Sequence, residues 1–261
     1  MEVVICRSYD EISKAAAKEI ADLLNTKPDA VLGLATGSTP LGMYKELVRM
    51  HKHDGLDFSQ VTTFNLDEYV GLSPDHDQSY HYFMHENLFK HINVPPQNIH
   101  VPSGTAKNHK AFCAWYEQRI KDCGGIDVQV LGIGSDGHIA FNEPTSSLGS
   151  RTRIKTLAKQ TIEDNARFFK SAGEVPIYAI TMGVGTIMEA RKLLLLANKK
   201  NKAKAVADMV EGPVCTMCTA SALQLHPDAM VFIDEDAAGE LKMKDYYKWI
   251  QTKKPGAPKS A

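Results

Sequence analysis

Short apolar runs without clean period-two alternation recur along the chain, separated by stretches whose apolar residues repeat at helical spacing. Val3–Cys6 reads as a first strand. Ser8-Tyr9-Asp10-Glu11 has the capping-box form, and Ile12, Ala16, Ile20, Leu23 and Leu24 then place one apolar face on a helix that Pro28 stops. Ala30–Ala35 reads as a buried strand. A Gly/Ser/Thr turn and Pro40 open a helix running to about Met50. Val61–Leu66 is strand-like, Ser79–His91 helical, and Ala106–Cys123 helical with Gly124-Gly125 as its stop. Val128–Ile133, Ile177–Met182, Lys192–Ala197 and Met230–Asp234 complete the apolar runs.

Strands without alternation, set between helices, are strands covered on both faces. The pattern therefore predicts an α/β fold: a single three-layer α/β/α domain, Rossmann-like, with a mostly parallel sheet. No linker or repeat divides residues 1–251. Residues 252–261 are all Thr, Lys, Pro, Gly, Ala or Ser, the composition of a loose tail.

Charge narrows the function classes. The 261 residues carry 30 Lys+Arg against 31 Asp+Glu, which argues against nucleic acid as the main partner. The longest apolar runs are far short of the roughly 20 residues of a spanning helix, and Met1–Arg7 has neither a basic n-region nor an apolar h-region. The expectation is a cytoplasmic protein with no membrane partner. Five cysteines form no disulfide framework. Cys215-Thr-Met-Cys218 is a CxxC, open to a redox or metal role with His226 nearby, but bystander thiols are the better reading. His81 and His85 stand four apart without an HExxH pattern or an identified third ligand, so solvent-facing or packed histidines are favoured there.

Three segments at predicted strand ends carry candidate chemistry. In Leu32–Pro40, small hydroxyl residues lead into a helix start, suiting a phosphate; the lysine of a Walker loop is missing, and Ser38 or Thr39 as a simple N-cap is the alternative. In Thr62–Tyr69, apolar residues deliver Asp67 and Glu68 to a strand end. Adjacent side chains point differently, so one of the two is expected to face a substrate as a base; the alternative is an acidic helix N-terminus. In Leu131–Pro144, Gly132, Gly134 and Gly137 make a formal GxGxxG, but no good helix follows and no acid stands about 20 residues on. More informative there are Asp136, His138 and Glu143, since carboxylates beside a histidine can set its tautomer for proton shuttling. No GxSxG elbow appears.

FNLDEYVGL (Phe64–Leu72), LGLATGSTP (Leu32–Pro40) and GIGSDGHIAFNEPTSSLGSRTRIKTL (Gly132–Leu157) together resemble the glucosamine-6-phosphate deaminase family, as do ARFF (Ala166–Phe169) and MGVGTIM (Met182–Met188). The resemblance runs from about Val3 to Lys244, while CTMCTAS (Cys215–Ser221) and the region of Tyr246–Lys248 depart from it. It implies a cofactor-free, metal-free enzyme of amino sugar catabolism that turns glucosamine 6-phosphate into fructose 6-phosphate and ammonium. On the matching positions it implies Asp67 as the base between C2 and C1, and His138 as the ring-opening group supported by Asp136 and Glu143. Thr36, Gly37, Ser38, Thr39, Arg167 and Lys202 are the implied phosphate and substrate contacts. A subset of the family is activated by N-acetylglucosamine 6-phosphate at an inter-subunit allosteric site, which Ser146, Arg153, Lys155 and Thr156 match. The family forms homohexamers, or monomers in some branches, and the resemblance of this loop implies the homohexamer. A phosphosugar lactonase or a sugar-phosphate sensor on the same fold are the competing readings.

Overall fold

The structure is a computed structural model that describes residues 1–166, 169 and 171–254. Strands β1 (Glu2–Cys6), β2 (Val31–Leu34), β3 (Thr62–Asn65), β5 (Ile99–His100), β6 (Val128–Leu131), β9 (Lys192–Ala197) and β10 (Ala229–Asp234) form one sheet in the order β1-β10-β9-β6-β2-β3-β5. Every pairing in it is parallel. All residues of β2 and β6 are buried, which requires cover on both faces. The doubly covered parallel sheet predicted from the unalternating apolar runs is present.

The helices α1 (Tyr9–Thr26), α2 (Leu41–His53), α3 (Tyr80–Asn87), α4 (His109–Asp122), α5 (Lys159–Asn165), α6 (Val184–Met188), α7 (Ala203–Val210) and α8 (Lys244–Lys253) complete the fold. Ser8 caps α1 by accepting the Glu11 N–H. The return bond differs from a capping box: the Glu11 carboxylate accepts the N–H of Arg7, one residue earlier than Ser8. The predicted Ser79–His91 helix is shorter, because α3 ends at Asn87 and a 3-10 turn, Phe89–His91, follows. The helix expected from Ala106 starts at His109, where the Asn108 side chain accepts the Ala111 N–H and fixes the N-terminus. Helix α8 includes Thr252 and Lys253, so the tail expected from residue 252 begins later; its residues 255–261 lie outside the described residues.

The run Ile177–Met182 belongs elsewhere than the main sheet. Its strand β8 (Tyr178–Thr181) is the middle of a small antiparallel sheet with β4 (Asp67–Tyr69) and β7 (Arg153–Thr156). A buried apolar run looks the same in sequence whichever sheet receives it. The chain crosses between the two sheets at Leu66. Its N–H donates to the Leu34 carbonyl of the large sheet, and its carbonyl accepts the Met182 N–H beside the small one. Below the small sheet lies a second apolar cluster of Tyr69, Phe141, Leu157, Val175 and Ala179. The strand crossover therefore sets Asp67 between a parallel sheet end and an aromatic wall.

Candidate active site

A cavity of about 450 Å³ opens at the carboxyl ends of β2, β3, β6 and β9. Thr36–Thr39, Asp67, Gly132–Ser135 and Asn198 reach it directly from those strand ends, the place where open parallel sheets bind ligands. Tyr80, Phe141, Thr161 and Lys202 close its sides.

The loop after β2 leads to Pro40, which occupies the cap position of α2 without any side-chain cap bond. Ser38 and Thr39 therefore do not serve as the simple N-cap. Instead the Tyr9 phenol bonds the Ser38 and Thr39 carbonyls (3.1 and 2.8 Å) and accepts the Gly42 N–H (2.8 Å). This clamp engages both carbonyls. It leaves hydroxyls and a helix N-terminus beside the cavity, an arrangement complementary to an anion.

The two adjacent carboxylates separate. Asp67 lines the cavity and is 6% exposed. Burial, and then the charge of Glu68, hold its pKa well above the usual carboxylate range. Glu68 turns the other way and accepts N–H groups from Tyr69, Tyr80 and His81 at 2.8, 3.0 and 2.9 Å. Of the pair, only Asp67 lines the cavity. The alternative, an acid at a helix N-terminus, describes Glu68 at the start of α3. Burial pushes Glu68 up to about 7 against the lowering effect of those three backbone bonds.

Opposite stands the loop after β6. His138 Nδ1 lies 2.7 Å from Asp136 Oδ1 and 3.6 Å from Glu143 Oε2. Nδ1 and Oε2 are buried without an aligned hydrogen bond, so these approaches are close polar contacts. Asp136 is pulled down in pKa: burial acts to raise it, but the His138 contact, the imidazole charge and backbone N–H groups outweigh that. Glu143 is fixed through its other oxygen, which accepts the Thr161 hydroxyl (2.6 Å) and the Ala158 N–H (3.1 Å). Nothing in the sequence marks Thr161 for this task, since it lies 18 residues beyond the glutamate on α5.

The glycines of this loop serve the histidine. A Cβ on Gly134 would meet the His138 ring at 2.4 Å, and Gly137 has φ +86° with the Cys218 sulfur 2.6 Å from where its Cβ would stand. No helix opens in this loop after Gly137. Ala140 adopts φ +51°, a region that costs a residue with a side chain about 1–2 kcal/mol. The neighbours hold it there: Asn142 Nδ2 donates to the Ile139 and Met182 carbonyls, and the Phe141 N–H donates to the Thr181 hydroxyl.

Asp136, His138 and Glu143 each place one ligand atom within 4.8 Å of the others, the one such grouping among the described residues. The donor set would accept a divalent cation, though the Glu143 oxygen held by Thr161 is committed. His81 and His85 are exposed and form no such group among the described residues. His226 is also excluded as a partner of the cysteines: its Nε2 bonds the Ala190 carbonyl and its Nδ1 accepts the Asp228 N–H.

Lys202 lines the cavity at the end of a 3-10 turn ahead of α7. Arg167 lies outside the described residues. Tyr80, which stacks on Phe141 at 6.0 Å, and Asn198 are cavity residues that the motifs do not single out. Asn198 follows the last residue of β9, so the rule of strand carboxyl ends would have found it. Of the four residues expected in a second site, Ser146 is buried with an unpartnered hydroxyl. Arg153 and Lys155 share one face of β7, and Thr156 lies on the other, exposed face. Arg153 Nη1 donates to Asn142 Oδ1 at 2.8 Å.

Fold and site together define an α/β protein with an acid–base cavity, suited to an anionic ligand, at the carboxyl ends of a parallel sheet. The profile of the family described as glucosamine-6-phosphate isomerases/6-phosphogluconolactonase matches residues 7–232. The chain belongs to this family. It is 53% identical over 245 residues to a glucosamine-6-phosphate deaminase of Thermoanaerobacter pseudethanolicus, covering 94% of this chain and 97% of that one. A Hahella chejuensis glucosamine-6-phosphate deaminase is 52% identical over 252 residues, covering 97% and 96%. Among solved structures, a monomeric glucosamine-6-phosphate deaminase superposes with a TM-score of 0.90 at 48% identity, covering 92% of this chain and 99% of that one. A 6-phosphogluconolactonase from Leishmania guyanensis shares the fold at a TM-score of 0.71 and 22% identity, with coverage of 92% and 98%. No helix among the described residues is long and apolar enough to cross a membrane.

Proposed function

We propose that this chain converts glucosamine 6-phosphate and water to fructose 6-phosphate and ammonium without a cofactor. The observation that carries the reading is the placement of one buried, high-pKa carboxylate, Asp67, across a single cavity from the Asp136–His138–Glu143 group. His138 would open the sugar ring by moving a proton between the ring and anomeric oxygens, with Asp136 and Glu143 setting its orientation. Asp67 would take the proton from C2 and return it to C1, forming an enolamine and then a C2 imine that water hydrolyses. An aldose–ketose proton transfer needs one base that reaches both carbons. A desolvated carboxylate in a preformed cavity has the raised basicity for it. Thr36, Gly37, Ser38, Thr39 and Lys202, with Arg167, would bind the phosphate, whose remote binding energy keeps the open chain in register.

The deaminase reading is favoured over a lactonase by identities of 48–53% to deaminases against 22% to the Leishmania lactonase. Ammonium release from glucosamine 6-phosphate tests it. Absence of ammonium with lactone hydrolysis present would transfer the chain to the competing reading.

A response to N-acetylglucosamine 6-phosphate is the second reading, supported by the unpartnered Ser146 hydroxyl and by two cations on one face of β7. Rates at sub-saturating substrate, with and without that sugar phosphate, test it together with the hexamer that would accompany it: a flat response from a monomer would remove both.

A further inference from the structure

The CxxC is a sequence motif that the proposed reaction leaves unused, and the fold places it against the loop that carries His138. Cys215 and Cys218 are partners in an isolated antiparallel bridge, separated by the two-residue turn Thr216-Met217. Bridge partners of this kind have Cα atoms about 4.5–5.5 Å apart, inside the roughly 4.4–6.8 Å range of disulfides. Both thiols are free. They differ in access: Cys215 is half-buried, whereas Cys218 is 6% exposed with its pKa pushed up to about 11, by burial first.

Cys218 also supports the catalytic loop. Its sulfur stands where a side chain on Gly137 would be and lies 3.7 Å from the Gly137 carbonyl. The next residues continue the attachment. The Thr219 hydroxyl accepts the Ile139 N–H and donates to the Asn142 carbonyl, and the Ala220 N–H donates to the Gly137 carbonyl. Gly137 lies between Asp136 and His138. A change in where the Cys218 sulfur points therefore acts on the residues flanked by the two groups that set the histidine.

We propose that Cys215 and Cys218 form a reversible redox site in which a low-molecular-weight disulfide oxidises the pair and thereby loosens the Asp136–His138 loop. In the first step the accessible Cys215 thiolate attacks one sulfur of the disulfide, forming a mixed disulfide and releasing one thiolate. In the second, Cys218 loses its proton and attacks the Cys215 sulfur, releasing the other thiolate, which with the first takes up the two protons. The pair is oxidised by two electrons and the small disulfide is reduced to two thiols. The new bond turns the Cys218 sulfur towards Cys215 and withdraws it from Gly137. Only the effect on rate rests on the proposed deaminase activity.

The test incubates the reduced full-length chain with oxidised glutathione and blocks residual thiols. Peptide mapping should find an intramolecular 215–218 bond lacking two hydrogens. Deuterium uptake in the Gly134–Phe141 peptide should rise on oxidation in the wild type and stay unchanged in Cys215→Ser. kcat for ammonium release should fall by about tenfold, short of the roughly 100-fold cost of a 1 Å misplacement. Dithiothreitol should restore it, and Cys215→Ser should keep wild-type kcat under both conditions. Absence of the 215–218 bond, or a bond that leaves loop exchange unchanged, overturns the proposal.

Discussion

Asp67 and Glu68 are neighbours on one three-residue strand, yet one carboxylate faces the cavity while the other is bound by the N-terminal amides of α3. Alternation of side chains along β4 separates them, and burial raises the pKa of both. The pair therefore divides between cavity lining and anchorage, with the charge of Glu68 also raising the proton affinity of Asp67.

Asp67→Asn removes the proposed base with almost no change of shape. kcat for ammonium release should fall by about 10²–10⁴-fold, the usual contribution of a general base, with KM changed only a few-fold. Steady-state ammonium assays check this. Retention of more than a tenth of kcat would take the base role away from Asp67.

Glu68 contributes, after burial, to the pH response. Asp67 must be ionised to act, so the rate should fall as pH drops through its raised pKa, with an acid limb above the ordinary carboxylate range. Glu68→Gln deletes the neighbouring charge and should move that limb to lower pH. Stability carries a second sign. Because the Glu68 pKa rises from 4.5 to about 7 on folding, the folded state holds a proton that the unfolded chain has released, and stability should decline as pH rises through that window. Thermal melts of wild type and Glu68→Gln between pH 5 and 8 should show a steeper decline for the wild type.

The Asp136–His138–Glu143 group should work without a metal. Exhaustive chelation should leave kcat unchanged, and His138→Gln should lower it by about 10²-fold or more. Asp136→Asn should cost less than the histidine itself, since it acts through orientation. Loss of activity on chelation, restored by a divalent cation, would convert these residues into ligands.

Gly134→Ala tests the packing under the histidine. Its Cβ would meet the imidazole at 2.4 Å, so the ring must move or the loop must shift. A loss of about 1–3 kcal/mol in stability by overpacking is expected, with kcat reduced more than KM is raised. Denaturant melts and kinetics on the same preparation separate the two effects.

The large sheet was legible because runs such as Leu193–Ala197 are apolar throughout, a pattern that double coverage explains. The small sheet was not. Arg153–Thr156 is polar and alternating, β4 has three residues, and β8 carries the same apolar signature as a strand of the large sheet. Asp67 and the His138 group could be singled out because carboxylates and a histidine at strand ends are chemically conspicuous. Thr161, Tyr80 and the Tyr9 clamp were hidden, since each acts on the site from a distant stretch of chain and only the tertiary fold joins them.

The crossing at Leu66 has a consequence for how this chain tolerates change in length. Leu66 is hydrogen-bonded to Leu34 on one side and Met182 on the other, so the segment Phe64–Tyr69 is pinned at both ends of its turn between sheets. One residue added or removed there would invert the facing of β4, presenting Glu68 to the cavity and driving Asp67 against the start of α3. Insertions are tolerable in outer loops but not between these two sheets, where the spacing of six residues keeps Asp67 turned towards the cavity.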